Sequence, residues 1–215
     1  MISLTDAQLN AWLINFIWPL TRILGLIMVA PVFGHRAVPG RVKIGLGIFI
    51  TLIIAPTLPP MPDVGLGSWH GLFILVQQLL IGVAIGFIMR IVFAAVEAAG
   101  EIVGLQMGLG FASFFDPQSA GQTLVLARFF NLLALLVFVA VNAHLLLLGV
   151  LVESFQSLPI SPQPLSAAGF YNVAAFGSTV FAVGLQLALP VIAIMLMTNL
   201  SLGILTRSAP QLNIF

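Results

Sequence analysis

The chain has 215 residues, of which 60% are hydrophobic and only 6% charged, with a net charge of +1 and a mean hydropathy of +1.19. A soluble domain carries roughly 25% charged residues and needs polar side chains to cover its surface, so composition excludes an ordinary soluble fold and points to a chain surrounded by lipid or by other protein. The absence of cysteine excludes a disulfide framework and a thiolate metal site, and the near-zero charge offers no electrostatic footprint for nucleic acid.

Met1 to Asn10 lacks the basic stretch of a secretory signal, and no small-residue cleavage site follows, so the first apolar run is expected to stay in the mature protein. Five apolar stretches follow, at 11–33, 42–58, 71–96, 121–152 and 170–205. A simple spanning helix takes about 20 apolar residues, which suits the first and third. The second is short and ends at Pro56. The last two are too long; 170–205 would extend about 53 Å as one straight helix, and Pro190 is expected to kink or break it. The fold class is all-α: a single, multi-pass integral membrane domain of long, kinked helices and helical hairpins.

Basic residues orient the spans. Arg36, Arg41 and Lys43 share the first connection, while Arg90, Arg128 and Arg207 fall towards the same side in an alternating topology. The opposite connections, near 57–68 and 153–169, hold no Lys or Arg. The positive-inside rule then puts Arg207 in the cytoplasm. Those opposite connections are proline-rich, with Pro56, Pro59, Pro60 and Pro62 in one and Pro159, Pro162 and Pro164 in the other, and are expected to be stiff and extended.

Polar residues inside apolar runs usually face a partner or water. On a helical wheel, Gly86, Glu97, Glu101 and Gly104 all fall within about 40° of Arg90, combining small residues that admit close helix approach with three charges. Arg90 and Glu97 can share a network, whereas Glu97 and Glu101 are like charges at i,i+4 that need compensation. A second stripe, Asn131, Asn142 and Glu153 at intervals of 11 residues, drifts only about 20° per step, with Arg128 about 60° away. Arg128 and Glu153 also suit plain helix ends at the interfaces. Asn142 sits in mid-segment, where a buried amide needs partners.

His35, His70 and His144 are isolated and form no metal-ligand pair, and no Gly-rich phosphate loop or nucleophile elbow is present. The sequence carries no catalytic constellation and implies no cofactor. The segment from Gly104 to Pro117, GLQMGLGFASFFDP, is unusual. Gly104, Gly108 and Gly110 weaken helix propensity, and Phe111, Phe114 and Phe115 add apolar bulk. Residue chemistry allows an aromatic plug with a glycine hinge or an interfacial re-entrant turn, and does not choose.

The stretch Gly100–Ser119, GEIVGLQMGLGFASFFDPQS, resembles the central motif of the FliR family of flagellar export-gate proteins, whose virulence-type counterparts serve injectisomes. Further similarity runs through Trp18-Pro19-Leu20-Thr21-Arg22, Ala30-Pro31, Val38–Lys43 and Ala188-Leu189-Pro190 to the closing Pro-Gln-x-Asn-x-Phe pattern at Pro210–Phe215. The resemblance covers nearly the whole chain, and the opening stretch looks flagellar. Family members usually continue past that closing pattern with one more hydrophobic region.

The resemblance implies a non-enzymatic channel component. One copy joins FliP and FliQ in a helical ring at the bacterial inner membrane, in the flagellar basal body beside FlhA and FlhB, and unfolded flagellar subunits pass through the ring. It implies a FliP-like portion over about 1–165 and the start of a FliQ-like hairpin over about 166–215, with the final helix of that hairpin absent. It also implies a pore plug at Met107, Gly108, Gly110, Phe111, Phe114 and Phe115. Arg207, Pro210, Gln211 and Asn213 would form a cytoplasmic hairpin tip. The charged face of Arg90, Glu97 and Glu101 is the candidate assembly surface. The other function class is a small secondary transporter with Glu97 and Glu101 as ion-coupling carboxylates, although such transporters usually show internal repeats.

The charge count generates a direct test of orientation. A single cysteine replacing Ser208 is expected to resist a membrane-impermeant maleimide in intact cells and to react after lysis; reaction in intact cells would reverse the assignment.

Overall fold

A computed structural model describes residues 6–62, 64–109 and 125–208. Among these residues the chain is helical and without strands, in seven α-helices and one short 3-10 turn. The helices are α1 (Asp6–Val29), α2 (Gly40–Ile54, continued by the 3-10 turn Ala55–Thr57), α3 (Trp69–Gln106), α4 (Val125–Ala140), α5 (Ala143–Ser157), α6 (Ala167–Phe176) and α7 (Thr179–Ser208). Four helical runs are long and apolar enough to cross a membrane, and a fifth is obtained if α4 and α5 count as one broken span. The protein is an all-α membrane protein.

The chain divides into two compact units, one formed by residues up to Ile91 together with Val137–Gly177, the other by Val92–Leu136 together with the segment from Ser178 onward. In the first unit, Ile14, Trp18, Arg22, Leu26 and Ala30 are all buried. Their spacing of four places them on a single ridge of α1. Around them lie Ile50 and Ile54 of α2, Ile74 of α3, and Leu147, Leu151 and Phe155 of α5. Helix α2 folds back along α1, with Gly47 against Leu20 and Leu24.

Helices α1 and α3 run parallel, Arg22 lying beside Gly82 and Leu26 beside Gly86. A side-chain carbon on Gly82 would collide with the Arg22 carbonyl oxygen, and one on Gly25 would stand 2.7 Å from the Leu79 carbonyl. The two backbones are therefore in direct contact, which small residues permit and which, in lipid, drives association in place of the hydrophobic effect.

The second unit uses the same device. A side-chain carbon on Gly100 of α3 would lie 2.6 Å from the Ala127 Cα of α4, and one on Gly184 of α7 would lie 3.0 Å from the Ala95 carbonyl of α3. Ala99, Val103 and Ala188 form the buried centre, flanked by Ile102, Leu126, Phe130 and Ile192.

Several expectations from sequence are corrected. The stretch 121–152 is interrupted at Val141–Asn142, where Asn142 adopts a left-handed backbone, φ 55. Asparagine enters that region more readily than most residues, and it divides α4 from α5. Asn131, Asn142 and Glu153 therefore do not lie along one helix. Asn142 is itself exposed. The third apolar stretch continues as helix beyond residue 96 to Gln106. Pro190 does not break α7, which continues past it, although it frees the Gln186 carbonyl from its usual bond; the interruption falls earlier, at Gly177–Ser178, between α6 and α7.

The α1–α3 contact makes a mutational prediction. Gly82→Val is expected to cost about 1–3 kcal/mol through overpacking, read as a lower melting temperature of the purified chain in detergent. Gly45→Ala meets open space and is expected to be neutral. Equal losses would show that close backbone approach is not what Gly82 provides.

Candidate functional site

Arg22 is fully buried, and its guanidinium ties three elements together. Its Nε donates to Gln78 Oε1 of α3 at 2.8 Å. Its Nη1 donates to the Ser154 carbonyl at 2.8 Å and to Ser154 Oγ at 3.1 Å, and its Nη2 donates to the Leu158 carbonyl at 2.8 Å. The Phe155 ring lies under the cation, with Cζ 4.2 Å from the ring centroid, within cation–π range.

No carboxylate is bonded to Arg22 among the described residues. The charge is met instead at the C-terminus of α5, the negative end of the helix dipole, by the Ser154 carbonyl, which also accepts from Leu158 N at 3.0 Å, and by the Leu158 carbonyl just beyond the helix. Because a guanidinium has donors only, Gln78 must turn its oxygen to Arg22. Its Nε2 is then buried without a partner among the described residues, as is Trp18 Nε1. Next to this clamp, Gln77 Nε2 donates to the Gln163 carbonyl at 2.7 Å, which fastens the second proline-rich connection to α3. Phe155, Pro159 and Ile160 together with Leu58, Pro59, Pro60 and Met61 line a cavity of about 50 Å³ between the two proline-rich segments.

Arg22 was not among the sequence candidates. Its signal was present: an ionisable residue amid the first apolar run, in register with Ile14, Trp18, Leu26 and Ala30. Such a residue is by default functional or partnered.

The sequence candidates have mixed placements. Glu97 is half-buried and accepts from Asn131 Nδ2 at 3.3 Å, bringing together one member of each polar stripe across α3 and α4 in the second unit. Arg90 and Glu101 are exposed, and neither has a hydrogen-bond or ion-pair partner among the described residues. Arg128 lies in the first turn of α4 and Glu153 near the end of α5, both exposed. Helix α3 stops at Gln106; Met107 is exposed and Gly108 takes φ 77, a conformation glycine reaches without strain. Gly110, Phe111, Phe114 and Phe115 lie outside the described residues. Arg207 is in the last turn of α7, while Pro210, Gln211 and Asn213 also lie outside them.

Residues 13–215 match the family described as bacterial export proteins, family 1. The chain belongs to this export family. Among curated relatives, it is 50% identical over its full length to the flagellar biosynthetic protein FliR of Escherichia coli K12, spanning 82% of that protein. The FliR proteins of Bacillus subtilis and Aquifex aeolicus are 33% and 27% identical, each over 95% of this chain and 78% and 79% of their own lengths. The export family thus includes this chain from α1 through α7, the buried arginine included.

The clamp predicts a graded loss. Arg22→Ala strands the Gln78 oxygen and the Leu158 carbonyl, each costing about 1–3 kcal/mol, so the purified chain is expected to lose at least about 2 kcal/mol of stability. Arg22→Lys keeps the charge but cannot reach all three acceptors with one planar fork, and is expected to fall between. A lysine variant as stable as the original would show that charge alone, without the fork, holds the clamp.

Proposed function

We propose that this chain is a structural, non-enzymatic component of the flagellar type III export gate in the bacterial inner membrane. In this reading it assembles with FliP and FliQ, beside FlhA and FlhB, and unfolded flagellar subunits pass through the assembly. The observation that carries the reading is the 50% identity along the whole chain to a protein named flagellar biosynthetic protein FliR, on a fold with four or five candidate spans.

Features of the fold support a role within an assembly. In α7 only Gly184 and Ala188 are buried, and among the described residues much of its apolar surface is uncovered. Arg90 is exposed along an apolar helix, and a charge in that setting calls for a partner or for water. Asn131, held by Glu97, shows the same helices using polar contacts internally.

The plug reading extends the proposal. The α3 terminus delivers the chain to Met107 and Gly108, where the left-handed glycine turns it off the helix axis. The phenylalanines that follow would supply the hydrophobic constriction that seals a pore by dewetting, with Met107 as an adaptable neighbour.

One experiment tests assembly and plug together. Affinity purification of the chain coexpressed with its export partners is expected to recover two smaller membrane proteins in unequal stoichiometry; recovery as a self-contained monomer or dimer would overturn the gate reading. Arg90→Ala is expected to reduce the recovered complex. Changing Phe111, Phe114 and Phe115 to Ala is expected to leave the complex assembled while raising membrane conductance. An intact complex with unchanged conductance would sink the plug while leaving the gate in place.

A further inference from the structure

Charge along the chain is strongly uneven. From residue 7 to residue 62 there is no Asp or Glu, yet this stretch holds four of the seven basic residues: Arg22, Arg36, Arg41 and Lys43. Arg22 is buried in the clamp. The other three, with His35, gather where α1 turns into α2, so the turn presents concentrated positive charge with no acidic neighbour in sequence on either side.

The turn is held in one shape. Gly34 N donates to the Ala30 carbonyl at 2.7 Å and Val38 N to the His35 carbonyl at 3.1 Å. Lys43 Nζ reaches back to the Gly34 carbonyl at 2.9 Å, drawing the start of α2 onto the end of α1 while keeping two ammonium protons for another acceptor. Ala37 N donates to His35 Nδ1 at 3.2 Å, which places the imidazole proton on Nε2. A side-chain carbon on Gly34 would stand 2.7 Å from the Met28 carbonyl and 2.8 Å from that of Ala30, so only glycine fits this close return. His35, Arg36 and Arg41 are exposed, and neither arginine has a hydrogen-bond or ion-pair partner among the described residues.

Directly beyond this cationic turn stands an uncovered apolar face. Helix α2 is only 17% buried along its span, and Val42, Ile44, Phe49, Leu52 and Ile53 are exposed. The arrangement is an ordered cluster of donors at one end and about three turns of bare hydrocarbon at the other. A soluble protein partner would explain the charge but not the apolar face at membrane depth. A neighbouring membrane helix would explain the apolar face but not the surplus charge.

We propose that the α1–α2 turn and the outer face of α2 seat an anionic phospholipid. Its phosphate would lie among Arg36, Arg41 and Lys43, and its acyl chains along Val42, Phe49 and Ile53. Charge complementarity selects the headgroup, because basic residues at a membrane surface attract anionic lipid. The inference rests on the membrane reading of the chain and not on the identity of its export partners.

The full chain, purified in detergent with the subunits that accompany it, would be offered equimolar phosphatidylglycerol and phosphatidylcholine with identical acyl chains. Native mass spectrometry would then read the ratio retained. A preference for phosphatidylglycerol is expected. Each basic residue beside an anionic surface contributes about fivefold, so Arg36→Gln with Arg41→Gln is expected to reduce that preference by about 25-fold. Arg36→Lys with Arg41→Lys is expected to keep most of it. No preference in the original chain, or an undiminished one in the glutamine variant, would overturn the site. A lysine variant as impaired as the glutamine variant would overturn it too, by showing that the loss follows from a disturbed turn rather than from removed charge.

Discussion

An unpaired guanidinium cannot sit among packed apolar helices unless aligned dipoles replace the water it has lost. In this protein the end of α5 and the amide of Gln78 supply them, and the arrangement of the first unit follows from that need. Arg22 reaches Gln78 because α1 and α3 touch backbone to backbone, and they touch because Gly82 and Gly86 present no side chain there. The carbonyl of Arg22 lies against Gly82 while its side chain holds the neighbouring turn of α3, so steric fit and hydrogen bonding report one contact. At its other end the fork holds the end of α5, where the chain enters the proline-rich connection that Gln77 fastens again.

The second unit is built differently. Its close approaches include Gly100 against Ala127 and Gly184 against Ala95, and a polar link joins Asn131 to Glu97 at 3.3 Å. Small residues bring helices together at little cost in lipid, but they bury little large side chain. Much of α7 consequently remains apolar and uncovered. In water such a surface would drive aggregation. In a membrane or inside an assembly it is the ordinary outer face of a helix, as suits a membrane protein of an export family.

Among the described residues, the two exceptional backbone positions both fall where a helix ends or restarts. Asn142 and Gly108 occupy the left-handed region; the first separates α4 from α5 and the second follows the last turn of α3. Proline has a different effect: Pro19 and Pro190 sit inside helices that continue past them, since neighbouring helices and local adjustments can accommodate the lost bond in a membrane protein. Helix ends among the described residues fall both at left-handed residues, after α3 and α4, and just before prolines, at Pro31, Pro56 and Pro159 after α1, α2 and α5.

Composition alone determined that the chain is a membrane protein, because six per cent charge cannot clothe a soluble surface. The apolar runs located the helices to within a few residues for α1 and α2, and the joint motifs pointed to the export family. Local chemistry could not show that Asn142 would break a helix that Pro190 would not, since both outcomes depend on what surrounds the backbone. It could mark Arg22 as anomalous but not name its partners, which lie 56, 132 and 136 residues away. Likewise Glu97 has Arg90 as its nearest opposite charge on the same wheel, yet its bond is to Asn131 on another helix. Periodicity reports which face of a helix a residue occupies. Only tertiary structure decides what that face meets, because the meeting is fixed by helix crossings between segments far apart in the chain.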